Sequence, residues 1–177
     1  LPRGRHGLPP EQVAESQRWR LLGAAAEVVA ERGYARTRVA DIAARAGVSR
    51  GTFYEQFDDL SACLLAAYEM VADCIYDLAR SACGGEGERE ERRQAALEQV
   101  LRFLAEEPAL AHLLSVEVAA GVPAIAAARE RLVARLMEGG AAERWRLEGA
   151  FALVSQQVTA GEAGRLPELA PQLAECI

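Results

Sequence analysis

The chain has 177 residues, 51% of them hydrophobic, and a formal net charge of −6. That length buries a real core, as one compact unit or as a small head on a larger body, while the acidic balance argues against a chain that coats nucleic acid along its whole surface. No apolar run approaches the ~18–20 residues that span a bilayer and residues 1–10 lack a signal-peptide core, so no membrane partner and a cytoplasmic location are expected.

Ala, Leu, Glu and Arg dominate and aromatics make up only 6%, a composition that favours helix throughout. The expected fold class is all-α. Charge is spread unevenly: residues 1–57 hold nine Arg against six acids, and residues 58–177 hold eleven Arg against twenty acids. A mildly basic head on an acidic body suits a protein that meets DNA with one end.

Residues 1–10, with Arg3, Arg5 and three Pro, read as a flexible arm, either a disordered tail or a basic arm of the kind that enters a minor groove. A first helix is predicted from Pro10 to Arg32. Pro10 suits a first turn, Glu11 and Glu15 suit the positive helix end, and Gly33 suits the stop. Leu22, Ala25, Ala26 and Val29 form its inward stripe. Gln17 and Arg18 near its start are either solvated or within reach of phosphate.

The run from Thr37 to Phe57, TRVADIAARAGVSRGTFYEQF, reads as two short helices joined by a tight turn. Thr37 is the expected N-cap of the first, Val39, Ile42 and Ala43 mark its apolar face, and Gly47 ends it. Ser49 caps the second, and Phe53 and Phe57 give it a buried side at i, i+4. Small residues at Ala43, Ala46 and Gly47 let the two helices cross closely. This is either a helical hairpin of an all-α core or a helix-turn-helix whose second helix enters a major groove. The outward residues favour the second reading. Arg50 and Gln56 suit base edges, Thr37, Ser49, Thr52 and Tyr54 suit phosphate, and Arg38 and Gly51 belong to the same surface.

The run ADIAARAGVSRGTFYEQF resembles the DNA-binding signature of the tetracycline-repressor (TetR) family, with the match reaching back through ERGYARTRV and the Gln17–Ala30 helix and forward weakly to Leu64. It covers about the first third of the chain. The resemblance implies an arm over residues 1–10, a three-helix helix-turn-helix domain over 11–58, and a helical ligand-binding and dimerisation domain over 59–177, about nine helices in all. It also implies ligand-responsive repression by a dimer on a near-palindromic operator in double-stranded DNA. The chain departs from the family at Leu60, where a Lys usually grips phosphate. With the acidic Asp58 and Asp59 beside it, Leu60 leaves open an alternative, a helical interaction or sensor module whose head no longer binds DNA.

Asp58 or Asp59 should cap a long fourth helix running to about Cys83. Leu60, Leu64, Tyr68, Val71, Ile75 and Leu78 form one stripe along it, so that it ties head to body. Residues 84–93, Gly-rich and charged, read as a loop entering a helix at about 88–106, which Glu107-Pro108 breaks. Further helices are expected near 108–119, 122–138 and 144–161, with a flexible spot at 139–143, and a last one at about 165–177. The last two are amphipathic, and their apolar faces belong either to the body's own core or, by the resemblance, to a homodimer seam. Arg102, His112, Trp145 and Gln156 are polar or aromatic groups on apolar helices. They are candidates for lining the cavity of an unknown small-molecule effector, and ordinary surface positions otherwise.

No nucleophile–base pair, metal cluster or phosphate loop stands out, so no catalytic residue, metal or cofactor is assigned and an enzyme is not expected. Cys63, Cys74, Cys83 and Cys176 contain no CxxC pair and make no zinc pattern with His6 and His112. They read as buried free thiols, with redox sensing the alternative.

Overall fold

The computed structural model describes residues 9–83, 88–115, 122–138 and 144–176. The first helix, α1 (Pro10–Arg32), spans 23 residues, with Pro at its first turn and Gly33 at its end. Gly33 has φ of 74° and its amide donates to the Val29 carbonyl, a conformation glycine reaches without a Cβ penalty. The expected stripe of Leu22, Ala25, Ala26 and Val29 is buried. A 3-10 turn (Tyr34–Arg36) leads to α2 (Val39–Ala46) and α3 (Arg50–Gln56). Gly47 joins them at φ 66° and ψ 36°, and its amide bonds back to the end of α2.

Helix α4 (Leu60–Cys83) is the spine. Asp59 starts it, its Oδ1 accepting the Ala62 amide at 2.8 Å. Leu64, Tyr68, Val71 and Ile75 are buried along one stripe, and Leu60 is half-buried against the same core. Helix α4 packs on α1 at the head end and on α5 (Arg89–Glu106), α6 (Pro108–Ser115) and α7 (Pro123–Glu138) in the body. Arg131 pairs with Glu69 at 2.7 Å and Arg135 with Asp73 at 2.5 Å, lacing α7 to the outer edge of α4. Helix α8 (Arg144–Thr159) packs on α6 and α7.

Helix α8 ends at Thr159, short of the expected 161, in a Schellman arrangement: the Gly161 amide donates to the Val158 carbonyl, and the Glu162 amide to Gln157. The last element is also corrected. A single helix over 165–177 is replaced by a 3-10 segment (Ala163–Leu169) followed by the short helix α9 (Ala170–Cys176). Pro167 lies inside the first and Pro171 in the first turn of the second. Proline removes an amide donor, so one continuous α-helix there loses its ladder. Both segments pack on α5, and Leu166 and Leu173 are buried in the chain's own core. The described residues thus form nine α-helices and two 3-10 segments, with no strand among them. None of these helices is long and apolar enough to cross a membrane. Of the expected arm over 1–10 and loop over 84–93, residues 1–8 and 84–87 lie outside the described residues, as do the loop at 139–143 and the end of the 108–119 helix; Pro10 and Arg89 already begin helices, so the loop is shorter than expected.

Candidate nucleic-acid interface

Helix α3 has only seven residues, too few to hold itself together in water, so its neighbours set its position. Phe53 is fully buried and Phe57 nearly so, their rings 5.7 Å apart against the head's core. That anchorage turns the opposite face outward: Arg50, Gly51 and Tyr54 are exposed, and Thr52 and Gln56 are half-buried. Tyr54 is 51% exposed. At the helix start, Ser49 Oγ accepts the Thr52 amide at 2.9 Å and lies 3.0 Å from the Thr52 hydroxyl. The expected Ser49 cap is therefore present, beside the exposed Arg50. A Cβ at Gly51 would lie 3.4 Å from Ser49 Oγ, an ordinary contact, so the cap itself does not require the glycine.

Two of the head's arginines are paired with acids on a neighbouring helix. Arg32 pairs with Asp41 at 2.8 Å. Arg45 binds Glu27 at 2.8 Å and Glu31 at 2.7 Å, and the Arg45 bond holds the Glu31 carboxyl below its ordinary range. These contacts join α2 to α1. Arg20, Arg36, Arg38 and Arg50 are exposed and meet no acidic partner among the described residues, and Arg38 and Arg50 stand where α2 and α3 begin.

Thr37 is a correction. The N-cap of α2 is Arg38, by backbone conformation. Thr37 is 5% exposed; its hydroxyl donates to the Gly33 carbonyl at 2.9 Å and its amide to Tyr34. Both its donors are consumed inside the head, so neither is offered to phosphate. Arg18 is the residue whose part the sequence misplaced. Its guanidinium turns toward α3, with Nη1 donating to the Gln56 carbonyl at 3.3 Å and Cζ lying 4.5 Å over the Phe57 ring.

In the body, Ile75 and Ala79 of α4, Leu97, Val100 and Leu104 of α5, Leu147 and Phe151 of α8, and Leu173 of α9 line a cavity of about 100 Å³. Arg93 is the one charged residue on its wall among the described residues. None of the four expected lining residues reaches it. Arg102 and Gln156 are exposed and Trp145 is 62% exposed. Helical periodicity explains α8: Leu147, Val154 and Val158 take the inward face, which leaves Trp145, Gly149, Ala152, Gln156 and Thr159 on the opposite one. His112 is half-buried and lines a separate crevice between head and body, with Glu27, Glu31 and Arg45.

Of the two cysteines whose side chains are described, Cys63 is as expected and Cys74 is not. Cys63 is a buried free thiol, and burial pushes it up to about 12, against a lowering influence from Arg18. Cys74 is exposed; partial burial and then Asp73 and Asp77 raise it, which disfavours the reactive thiolate. The side chains of Cys83 and Cys176 lie outside the described set.

Residues 21–67 match the family model described as bacterial regulatory proteins, tetR family. No curated protein matches the chain in sequence. Among solved structures, the chain is similar to the fatty acid degradation regulator FadR of Bacillus halodurans, at 21% identity and TM-score 0.76, over 96% of this chain and 95% of that one. It is similar also to FadR of Bacillus subtilis in complex with stearoyl-CoA, at 20% identity and TM-score 0.74, over 89% and 95%. A TetR family transcription regulator from Marinobacter aquaeolei VT8 matches at 23% identity and TM-score 0.68, over 92% and 97%. At these identities the structural likeness establishes the fold.

Proposed function

From the match of residues 21–67 to the model of bacterial regulatory proteins of the tetR family, we propose that the chain is a homodimeric, ligand-responsive repressor of that family rather than an enzyme. The observation that carries the DNA reading is the outward face of α3, with Arg50 and Tyr54 exposed beside a capped helix start and no acidic group among the described residues pairing Arg50. In this reading Arg50 and Gln56 contact base edges. Tyr54, Thr52, Ser49 and Arg38 contact phosphate by side chain or first-turn amide, and Gly51 lets the backbone approach.

One head reads only a few base pairs, so specificity needs two copies set ~34 Å apart on a near-palindromic operator. The last two helices of the notional seam have turned their leucines and valines inward, so the dimer uses the other face of α8. Trp145, Gly149, Ala152, Gln156 and Thr159 recur at steps of four, three, four and three, all exposed. The two small residues among them admit a close helix pair.

The effector of this reading is an apolar chain with an anionic end, lodged in the body cavity with its charge toward Arg93. The apolar wall supports this, as does the stearoyl-CoA complex of Bacillus subtilis FadR. At about 100 Å³ the cavity is smaller than the ~300–1,000 Å³ of ordinary ligand pockets. Entry therefore parts α5 from α8, and the displacement reaches the heads through α4. Thermodynamically the ligand binds one head spacing better than the other.

The test is selection of bound DNA from a random library, followed by titration at increasing salt. Expected are a two-fold symmetric site, a steep fall of affinity with salt, loss of about 1–3 kcal/mol in Arg50→Ala, and release of the site by stearoyl-CoA. Retention that ignores both salt and Arg50 would support the module without DNA binding. Asp59 already has a structural task as the cap of α4, and Leu60 packs on the core, so neither residue by itself argues for that module.

A further inference from the structure

The C-terminal end of α3 is held from outside. The Phe57 amide takes the Phe53 carbonyl at 2.9 Å. The Gln56 carbonyl, one of the last of the helix, accepts Arg18 Nη1 at 3.3 Å, and the same guanidinium lies over the Phe57 ring at 4.5 Å. Arg18 is half-buried and comes from α1, 38 residues away in sequence from Gln56. Three effects act together at one place: a charge-assisted bond to an orphan carbonyl, a cation at the negative end of a helix dipole, and a cation–π stack on a buried ring. A seven-residue helix has little length with which to resist rotation about its own axis, so contacts with the rest of the head fix its orientation. Phe53, buried in the core, holds its middle, and α1 holds its C-terminal end through Arg18.

We infer that Arg18 is a positioning residue for DNA reading: it sets the orientation of α3, and with it the place of the Gln56 side chain, without touching DNA. This rests on the DNA-reading function proposed above. It differs from a phosphate contact in what it leaves unchanged. A phosphate contact adds to the salt dependence and binds all sequences alike. A positioning residue affects which base is preferred and leaves the salt dependence alone.

The experiment uses the full chain as wild type, Arg18→Ala, Arg18→Gln and Arg18→Lys, with Gln56→Ala as reference. Hydrogen exchange on the free proteins should quicken on the order of tenfold at the α3 amides in Arg18→Ala and Arg18→Gln, with the amides of α5 and α8 unchanged. Lys keeps the charge but not the flat stack, so Arg18→Lys should recover part of the protection. On DNA selected by the wild type, Arg18→Ala should lose preference at the base position that Gln56→Ala also relaxes, with the slope of log affinity against log salt unchanged. A slope lower by about 0.9 with base preference kept makes Arg18 a phosphate contact and overturns the inference. So does unchanged exchange in α3. A wild-type protein that selects no sequence overturns the DNA reading itself and this role with it, which the exchange result alone cannot do.

Discussion

Thr37 lies just before a helix, carries a capping side chain, and caps nothing. Its hydroxyl donates instead to the carbonyl of Gly33, the residue that ends α1, so the side chain fastens the α1–α2 connection rather than α2. Thr37→Val keeps the shape and removes the donor. It should lower stability by about 1 kcal/mol, seen as a shift of roughly 2–4 °C in melting temperature for a chain of this size. The affinity of the folded protein for its DNA should stay unchanged. An affinity loss without a stability loss would return Thr37 to the phosphate contacts. Gln56 presents the opposite case. Its backbone carbonyl is engaged by Arg18, while its side chain, on a half-buried residue, depends for its place on how that engagement turns the helix.

Helix α4 buries two ionisable groups as well as its leucines. Cys63 and Tyr68 are 0% and 1% exposed. Burial pushes both up to about 12, from 9.0 and 10.0, against lowering influences of Arg18 and Arg129. In each the neutral form is the one the fold accommodates. Below about pH 9 both groups are protonated folded and unfolded, and the pH has no leverage on them. Above it the unfolded chain releases the Cys63 proton first and the Tyr68 proton next, while the folded chain keeps both, so stability falls as the pH rises from 9 toward 12. The slope is at most about 1.4 kcal/mol per pH unit for each group. Urea unfolding of the wild type should show a lower midpoint at pH 10 than at pH 8. Cys63→Ala should be less stable than the wild type at pH 8, yet fall less between pH 8 and 10. Equal falls in the two proteins would mean that the thiol is accessible. Because α4 packs on α1 at one end and on α5 and α7 further along, softening it at high pH loosens head and body together.

Taken whole, the molecule couples its two ends through packed contacts, α1 against α6 and α4 against everything it passes. The body cavity lies beside the part of α4 that carries Ile75 and Ala79, far along the same helix whose start follows α3. A ligand that widens the cavity therefore acts on an element shared with the head. Ala150 lines the cavity from α8, and Ala150→Leu fills space that the proposed effector would take. The variant should bind its DNA as the wild type does and no longer release it with stearoyl-CoA. Thermal unfolding should agree: the wild type gains about 2.7 kcal/mol at a ligand concentration of a hundred times Kd, and the variant gains almost none. Release that persists in Ala150→Leu would place the effector elsewhere.

What could be read from residue order alone was whatever short-range physics decides. Gly33 and Gly47 stop helices because their backbone angles suit no other residue as well. The Leu64–Ile75 stripe repeats with the helix, and Ser49 caps α3 through a bond spanning three residues. The helix order and the outward Arg50 and Tyr54 followed from these. Long-range packing decided the rest. Thr37 has two possible acceptors, and the approach of Gly33 selects one. Arg18 meets α3 only because α1 crosses it. Trp145 and Gln156 face away from the cavity because the apolar residues of α8 claim the other side, and the leucines of the last segment settle on α5 once Pro167 and Pro171 bend it. A side chain's periodicity states which face it shares; which partner waits on that face depends on residues tens of positions away, and only the folded chain brings them together.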